Sequence, residues 1–489
     1  MPSAPSQLKG SSLLKTNLYV GGSWVPAEDG ARFEVTDPAT GLPITSVASA
    51  TRSDVTAAIE VAAAAFPAWA ALPAPQRSQV LRRWYELIVE NVDELAAILT
   101  AEQGKPLQEA VGEIRYGAAF IEWFAEEAKR LYGETIPTNV RGRRILTIRQ
   151  PVGVAAAITP WNFPMAMITR KAGPALAAGC TLVIKPASET PLSALALAEL
   201  ASRAGLPAGV LNVVVGKAAM IGDVIAQSST VRALSFTGST EIGRLLLEKC
   251  AGTVKKVALE LGGNAPLIVF DDADLDVALE GAMASKFRNA GQTCVCANRI
   301  LVQSGIHDAF VERLEAAVRA LRVGNGFDDV EQGPLISEAA VRKVEEHIAD
   351  AVSRGARVTV GGAPHERGGT FFAPTVLVGA TPQMQIASDE TFGPVAPVFR
   401  FETEEEAIRL ANSTESGLAA YFFTRDQGRV WRVGEALEFG VVGINTGVIS
   451  YEGAPFGGVK QSGLGREGSR HGIDEFLDYK YLCVEGIGD

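Results

Sequence analysis

The sequence has little of what marks metal-bound or disulfide-built proteins. Its 489 residues include only 5 Cys and 4 His. So few cysteines, odd in number, do not build a disulfide framework and are typical of a reducing compartment. The histidines are scattered, and no Cys or His pair has the spacing of zinc ligands, so we predict no metal site.

Long apolar runs and an excess of positive charge are also missing. The longest apolar stretch, 172–184, contains Pro174 and is too short for a transmembrane helix. Residues 1–15 lack the apolar core of a secretory signal. The net charge of -11 leaves no general basic field for nucleic acid or an anionic membrane. We therefore expect a cytoplasmic protein that binds neither nucleic acid nor membrane.

The composition is that of a large folded chain. Hydrophobic residues make up 47% and charged residues 21%, which is ordinary globular usage. At about 150 residues per domain, the length corresponds to roughly three domain equivalents. The chain can bury a large core, and a single small binding module is excluded.

Hydrophobic periodicity divides the chain into four regions. Residues 53–132 favour helices, because apolar positions recur every three or four residues. Residues 134–158 favour short strands, including a hairpin arm. Apolar strands alternate with helices over 152–270 and again over 264–460. This alternation predicts the α/β class, with two mainly parallel sheets and a boundary near residue 262.

Two polar segments have residue types suited to catalysis. The segment 159–164, Thr-Pro-Trp-Asn-Phe-Pro, directly follows a predicted strand, and ligands bind at the carboxyl ends of parallel strands. A rigid proline turn capped by its Asn is the alternative. Cys294 lies in Gly-Gln-Thr-Cys-Val-Cys and is a candidate nucleophile, because a thiolate adds readily to a carbonyl carbon. A buried, inert thiol is the alternative.

Two further segments end predicted strands. Glu260, in Leu-Glu-Leu-Gly-Gly-Asn, should have a raised pKa among apolar neighbours and could act as a general base. The alternatives are a helix cap or an ion pair. The segment 236–243, Phe-Thr-Gly-Ser-Thr-Glu-Ile-Gly, combines a turn with a helix start that favours pyrophosphate, although it lacks the G-x-G-x-x-G spacing.

Together with Glu-Thr-Phe-Gly-Pro at 390–394 and Pro-Phe-Gly-Gly-Val-Lys at 455–460, these segments resemble the aldehyde dehydrogenase superfamily along essentially the whole chain. The resemblance implies an α/β fold with two Rossmann-type parallel-sheet domains and a small β oligomerisation arm. The implied units are a dinucleotide-binding domain (1–132 and 151–262), a catalytic domain (263–461), and an oligomerisation arm and tail (133–150 and 462–489).

The resemblance also implies catalytic roles. Cys294 would be the nucleophile, and Asn162 with the Cys294 backbone N–H would form the oxyanion hole. Glu260 would be the general base for the deacylating water. Thiolate attack on an aldehyde gives a tetrahedral oxyanion, hydride then leaves to a nicotinamide, and water hydrolyses the resulting thioester.

The cofactor implied by the resemblance is NAD(P). Lys185 would contact the adenosine ribose, Ser239 the pyrophosphate, and Glu390 with Phe392 the nicotinamide ribose and ring. NAD-preferring relatives often carry an acid at the position of Ser188, where a hydroxyl should accept a 2'-phosphate. We therefore expect NADP to be preferred, with NAD as the alternative. The full expected set is Thr159, Pro160, Trp161, Lys185, Ser188, Gly238, Ser239, Gly243, Leu261, Glu390 and Phe392.

A narrower resemblance is to the succinate-semialdehyde dehydrogenases. It is carried by Met-Ile-Thr-Arg-Lys at 167–171, Ser-Lys-Phe-Arg-Asn-Ala at 285–290 and Asn-Thr-Gly-Val-Ile-Ser at 445–450. The implied reaction oxidises succinate semialdehyde to succinate. The alternative is glutarate semialdehyde, because one methylene is poorly discriminated. A CoA-acylating enzyme or an inactive binding protein is disfavoured by the intact catalytic residues.

The implied substrate-binding residues are Arg170, Arg288 and Ser450, which would hold the distal carboxylate. A guanidinium binds a carboxylate bidentately, which suits this role. For either arginine alone, a helix cap or a pair with an acid is the alternative.

The same resemblance singles out two further residues. Cys296 would be a redox partner of Cys294, with a packed thiol as the alternative. Glu467 would be a gate or proton relay, with a surface ion pair as the alternative. Family members are usually oligomeric, so we expect a homodimer or homotetramer.

Overall fold

The computed structural model describes Leu8 and residues 10–486. Residues 1–7, 9 and 487–489 lie outside the described residues. They include the start of the predicted dinucleotide-binding domain and the end of the predicted tail. They also include about half of the segment 1–15, in which no secretory signal is expected. The helices are α1 Arg52–Ala71, α2 Ala74–Glu90, α3 Val92–Gln103, α4 Leu107–Glu127, α5 Ala166–Ala178, α6 Leu192–Arg203, α7 Ala218–Gln227, α8 Thr240–Cys250, α9 Leu275–Lys286, α10 His307–Arg319, α11 Glu338–Ser353, α12 Gln385–Ser388, α13 Glu404–Asn412 and α14 Gln427–Ala436. The strands are β1 Leu18–Val20, β2 Ser23–Val25, β3 Arg32–Thr36, β4 Pro43–Ala48, β5 Glu134–Ile136, β6 Arg143–Pro151, β7 Val154–Ile158, β8 Thr181–Lys185, β9 Leu211–Val213, β10 Val231–Thr237, β11 Lys256–Glu260, β12 Ala265–Val269, β13 Ala297–Gln303, β14 Arg357–Val360, β15 Thr375–Ala380, β16 Val395–Phe401, β17 Ala419–Phe423, β18 Val441–Ile444, β19 Gly463–Leu464 and β20 Leu477–Glu485.

The first large sheet has eight strands in the order β19-β11-β10-β7-β8-β9-β1-β2. Strands β11, β10, β7, β8 and β9 are parallel, and β7 and β8 are buried along their whole length. Helices contact the sheet, which is why these strands are almost continuously apolar. The carboxyl ends of β7, β8, β10 and β11 therefore share one edge, from which the segments after residues 158, 185, 237 and 260 start.

The second large sheet has seven strands in the order β14-β15-β16-β13-β12-β17-β18. All neighbouring pairs are parallel except β14 with β15. The segment 261–264 joins the end of β11 to the start of β12, and the segment 291–296 ends at the start of β13. The carboxyl edge of the first sheet thus leads directly to the amino edge of the second. The α/β class and the aldehyde dehydrogenase-like fold are as expected from the sequence.

Residues of the predicted arm and tail form a separate antiparallel sheet. Strand β6 pairs with β20 along its full length and with β5 on its other side. A further part of the predicted tail, Gly463–Leu464, lies elsewhere: it pairs with Leu259 and Glu260 at the edge of the first large sheet. The tail therefore contributes to two sheets.

The predicted helical region is formed by α1 to α4. Helix α1 is long and apolar enough to cross a membrane by length and composition alone, but it contacts β7, β8 and β9 and buries a face that includes Ile59 and Trp69. Helices α4 and α5 approach closely at Gly117, where an added Cβ would meet Met165 and lie 3.1 Å from the Ala166 Cα. This contact places one face of α4 against the loop and helix that follow β7.

Candidate active site

Cys294 lies where two cavities meet. We call the first, of about 310 Å³, the arginine cavity; its lining residues are Glu109, Gly112, Glu113, Tyr116, Phe163, Met167, Arg170, Arg288, Thr293, Cys294, Val295, Val448, Ser450 and Phe456. We call the second, of about 400 Å³, the strand-end cavity; its lining residues are Pro160, Trp161, Asn162, Met167, Thr237, Gly238, Ser239, Leu261, Gly262, Cys294, Ile336, Ser337, Ala339, Ala340, Lys343, Glu390, Thr391 and Phe392. The structure thus brings all three predicted substrate residues to one side of the thiol and most predicted cofactor residues to the other.

The loop that carries Cys294 begins with a strained turn. Asn289, Ala290 and Gly291 have φ angles of 51°, 54° and 73°, a left-handed run that is costly for the first two. The side chain of Gln292 holds the turn: its Nε2 donates to the carbonyl oxygens of Asn289 (3.1 Å) and Pro334 (3.3 Å), and its Oε1 accepts from the Ile336 N–H (2.9 Å). The loop conformation is therefore fixed by its own hydrogen bonds.

Asn162 is buried beside this loop. Its Nδ2 donates to the Gln292 carbonyl oxygen at 3.1 Å. The backbone carbonyl oxygen of Asn162 accepts from Lys105 Nζ at 2.7 Å and from Asn289 Nδ2 at 3.0 Å. An amide nitrogen has two N–H bonds, so one remains beyond the bond to Gln292, and Asn162 lines the strand-end cavity together with Cys294.

A buried ion pair on α4 and the segment before it supports Asn162. Lys105 Nζ lies 2.6 Å from Glu113 Oε2, and the two side chains are 0% and 1% exposed. The other oxygen of Glu113 accepts from the backbone N–H groups of Met165 (3.0 Å) and Ala166 (3.2 Å), at the start of α5, where a helix favours negative charge. Sequence reasoning missed this pair, because the helical region contains many charged residues and nothing in the sequence distinguishes these two.

Glu260 is a buried carboxyl group, and neither of its oxygens has a hydrogen-bond partner within residues 10–486. Burial raises its pKa well above the usual range, and the nearby Glu467 carboxylate raises it further, while Arg170 and Lys171 act against this. Such a group takes up a proton far more readily than an exposed glutamate. A raised pKa suits the predicted general base, although Glu260 lines neither of the two cavities at Cys294 in this structure.

Glu467 forms two buried ion pairs. It contacts Arg170 Nε at 2.8 Å and Lys171 Nζ at 2.6 Å, and the side chains are 8%, 2% and 1% exposed in that order. Burial raises the pKa of Glu467, but Lys171 and Arg170 outweigh burial and hold it below the usual range. The surface ion pair considered for Glu467 is thus wrong, because its partners are in the interior. For Arg170, the alternative of pairing with an acid is realised, although Arg170 also lines the arginine cavity.

Arg288 and Ser450 complete the polar wall of the arginine cavity. Both are half-buried. The Arg288 guanidinium lies 5.3 Å from the centre of the Phe163 ring, and in the part of the chain that the structure describes it has no carboxylate within ion-pair distance. Arg288 is therefore the cation of this cavity that is free to bind a ligand anion.

The two cysteines of the loop differ in their surroundings. Burial and the Glu390 carboxylate raise the pKa of Cys294 to about 12, with Arg170 opposing, so this thiol needs a base to ionise near neutral pH. Cys296 lines neither cavity; its Sγ accepts from Lys286 Nζ at 3.1 Å in the interior. Both thiols are free. Cys296 is a packed interior thiol in this structure, which is the alternative considered for it.

Glu390 and Phe392, the residues predicted for the nicotinamide end of the cofactor, both line the strand-end cavity. Glu390 Oε1 accepts from the Gly263 N–H at 3.2 Å, and burial raises the pKa of Glu390 to about 7. Phe392 has a φ of 57° and meets the Trp161 ring edge to face at 5.5 Å. Ser239 caps α8 and lines the same cavity, so the positive end of this helix faces the cavity.

The predicted adenosine end lies outside the strand-end cavity. Thr159, Lys185 and Ser188 do not line it; they sit at the adjacent ends of β7 and β8, where the Thr159 N–H donates to the Lys185 carbonyl oxygen at 3.1 Å. Burial lowers the pKa of Lys185 to about 8, with Glu189 opposing. Ser188 Oγ donates to the Gly216 carbonyl oxygen at 3.1 Å. A buried lysine with no ion-pair partner in the described chain fits a phosphate-bearing ligand.

Gly243 also lies away from the cavity lining. An added Cβ would lie 2.9 Å from Leu261 Cδ1 and would contact Cδ2 still more closely. The glycine at 243 is therefore required to seat Leu261, which does line the strand-end cavity.

Three comparisons with known proteins identify the family and the fold. The profile of the aldehyde dehydrogenase family matches residues 24–482. The chain is similar to a glutarate-semialdehyde dehydrogenase of Pseudomonas aeruginosa, with 61% identity covering 98% of this chain and 100% of that protein. It is also similar to an NADP(+) succinate-semialdehyde dehydrogenase of Escherichia coli, with 60% identity covering 98% of this chain and 99% of that protein. The crystal structure of succinate-semialdehyde dehydrogenase from Burkholderia pseudomallei has a TM-score of 0.97 and 60% identity, covering 98% of this chain and 100% of that one.

Removal of Lys105 should destabilise the protein more than removal of both charges. The variant Lys105→Met leaves the Glu113 carboxylate buried without its cation, so the free energy of unfolding should fall by about 3–5 kcal/mol. The double variant Lys105→Met/Glu113→Gln should recover much of this loss, because its amide still accepts from the start of α5. Urea unfolding of both variants measures the effect; a double variant less stable than Lys105→Met contradicts it.

Proposed function

This chain belongs to the aldehyde dehydrogenase family, and from that premise we propose that it oxidises succinate semialdehyde to succinate, with NADP as the preferred cofactor and NAD as the alternative. The observation that carries the proposal is the arginine cavity, which has the Cys294 thiol at one side and a free Arg288 guanidinium in the same wall. A four-carbon semialdehyde carries both groups that this cavity can hold: an aldehyde for the thiol and a carboxylate for the cation.

The proposed chemistry assigns each step to a residue of the chain. Glu260 accepts the proton of Cys294, directly or through water, and the thiolate forms a bond to the aldehyde carbon. The developing oxyanion accepts hydrogen bonds from the second N–H of Asn162 and from the Cys294 backbone N–H. A nicotinamide cofactor, when bound, supplies the hydride acceptor. Glu260 releases that first proton to solvent and then takes a proton from the water that adds to the thioester carbon. The C–S bond breaks, the departing sulfur recovers the proton from Glu260 as the thiol, and the new carboxyl group loses its proton to solvent as succinate leaves.

The residues proposed to hold the cofactor agree with its chemistry. Ser239 at the start of α8 suits a pyrophosphate, because backbone N–H groups and the helix dipole there favour an anion. Lys185 is a buried cation, which suits a phosphate, and Ser188, whose hydroxyl donates to the Gly216 carbonyl oxygen, is neutral and would not repel a 2'-phosphate. Glu390 and Phe392 suit the ribose and ring of the nicotinamide, because they line the cavity that reaches Cys294.

Glutarate semialdehyde is the second candidate substrate. A relative that is 61% identical bears that name. One added methylene changes binding by only about 1–3 kcal/mol in a pocket, and the arginine cavity of about 310 Å³ has room for either chain. We therefore propose a short aldehyde with a distal carboxylate as the substrate class, with succinate semialdehyde as the first candidate.

We also propose roles for the two large sheets and for the small three-stranded sheet. We assign dinucleotide binding mainly to the first large sheet and the thiol loop to the second. The three-stranded sheet of β5, β6 and β20 is proposed to mediate a homodimer or homotetramer. Its exposed apolar side chains support this, among them Ile136, Tyr479 and Tyr481, which are 40%, 66% and 59% exposed.

A panel of aldehydes tests the substrate. The wild-type protein should favour aldehydes with a terminal carboxylate over butanal, and Arg288→Ala should raise KM for succinate semialdehyde by an amount equivalent to about 2–5 kcal/mol. Its activity on butanal should change little, because butanal has no carboxylate to hold. Arg115→Ala, at an exposed arginine of α4, is the control. Equal losses on both aldehydes in Arg288→Ala would count against the proposed carboxylate site.

The cofactor preference is tested at Ser188. The wild-type protein should have a higher kcat/KM with NADP than with NAD, and Ser188→Glu should reverse that ratio, because a carboxylate there repels a 2'-phosphate. Steady-state kinetics with both cofactors measures the ratio, with Ser202→Glu, the same substitution at an exposed serine of α6, as the matched control. A tenfold or larger wild-type preference for NAD would reject the assignment.

The pH at which kcat declines on the acid side should depend on the charges around Glu260. As pH falls through the raised pKa of Glu260, the group gains a proton and can no longer act as a base, so kcat should decline. Glu467→Gln removes the neighbouring carboxylate and should move this decline to lower pH, whereas Lys171→Met removes a cation and should move it to higher pH. Profiles of kcat against pH for both variants check the two directions; shifts in the same direction would contradict the role of Glu260.

A further inference from the structure

The segment that carries Glu390 and Phe392 is held at its middle residue. Thr391 is buried, and its backbone N–H donates to the side-chain Oδ1 of Asn298 on β13 at 3.1 Å. Its hydroxyl oxygen lies 3.1 Å from Nδ1 of His347 on α11. The backbone and the side chain of Thr391 are therefore bonded to two different elements, a strand and a helix.

The backbone of this segment needs such support. Phe392 has a φ of 57°, in the left-handed region that a bulky side chain rarely adopts. A conformation of this kind persists only where its surroundings enforce it. The next residue, Gly393, packs so closely against Val344 of α11 that an added Cβ would collide with it. Helix α11 thus supports the segment at two points, Val344 and His347.

The His347 ring is suited to a fixed, neutral hydrogen bond. It is 1% exposed. Burial lowers its pKa, and Lys343 one turn earlier lowers it as well, so the ring is neutral near neutral pH. A hydroxyl both donates and accepts, so Thr391 can bond to Nδ1 in either tautomer of the neutral ring. The contact therefore adds no charge beside the Glu390 carboxyl group.

The supported segment forms part of the wall of the strand-end cavity. Residues 390–392 line this cavity together with Lys343 of α11, whereas His347 does not line it. The histidine therefore acts on a ligand of the strand-end cavity through the segment that it holds.

We propose that His347 is a positioning residue for the nicotinamide half of the cofactor, because its bond to Thr391 fixes the segment that presents Glu390 and Phe392. This inference rests on the proposed function, in which those two residues receive the nicotinamide ribose and ring. The adenosine half is assigned to other elements, among them Lys185 at the end of β8. Loss of the His347 bond should therefore weaken the binding of one half of the cofactor and leave the other half unchanged.

Two ligands separate the two halves. NADP carries both, whereas adenosine 2',5'-bisphosphate has the adenosine and the 2'-phosphate without the nicotinamide. In His347→Leu the Kd for NADP should rise about three- to tenfold, as expected for the loss of one hydrogen bond, while the Kd for the bisphosphate should equal that of wild type. Isothermal titration calorimetry measures both values without turnover. His347→Asn, whose amide can replace Nδ1, should retain most of the NADP affinity, and His471→Leu, at an exposed histidine, is the control that should equal wild type.

The other end of the hydrogen bond gives an independent check. Thr391→Val removes the hydroxyl and keeps the shape of the side chain, so it should raise the Kd for NADP by a similar factor. It decides the question on its own if His347→Leu does not fold. The double variant His347→Leu/Thr391→Val should bind NADP no more weakly than either single variant, because both changes remove the same bond. Additive losses would show that the two residues act separately and would overturn the inference.

The remaining outcomes of the titrations also overturn the inference, and wild type separates it from the proposed function. If His347→Leu binds both ligands as wild type does, the segment is positioned without the histidine. If both ligands weaken equally, His347 supports the fold as a whole and not the nicotinamide half. If wild type binds neither ligand, the proposed cofactor fails first, and the inference fails with it.

Discussion

The buried pair of Lys105 and Glu113 is the interaction on which the rest of the site depends. The lysine binds the carbonyl oxygen of Asn162, and the glutamate binds the first backbone N–H groups of α5. One ion pair thus fixes both the backbone of Asn162 and the start of the helix that carries Arg170. Buried ion pairs seldom add much net stability, because desolvation offsets the attraction. The value of this pair lies in the positions that it fixes.

A second set of buried charges lies on the other side of α5. Arg170 and Lys171 share the Glu467 carboxylate, while Glu260 nearby has no hydrogen-bond partner among the described residues. Two cations and two carboxyl groups in one interior region cannot all be charged without cost. The proton is therefore held most readily by Glu260, the one carboxyl group without a bonded cation.

The sequence predicted the fold and the chemistry at strand ends better than the walls of the cavities. Strand β8 lies in the region 152–270 that was predicted to alternate strands with helices, and Asn162, Glu260 and Ser239 follow parallel strands whose ends share an edge. The contribution of α4 was not predicted, because Glu113 and Tyr116 are ordinary residues of an amphipathic helix until α5 packs against them. The partner of Lys171 could not be predicted either, since Glu467 is 296 residues away along the chain.

Cys294 is shared by both cavities, and this has a consequence for the timing of turnover. In the proposed reaction, an acyl group on the sulfur would extend into the arginine cavity, while the dinucleotide would occupy the strand-end cavity. The dinucleotide could then depart, and water could enter, on one side of the thioester while the acyl chain stayed anchored on the other. The two ligands would therefore use separate routes to the same sulfur.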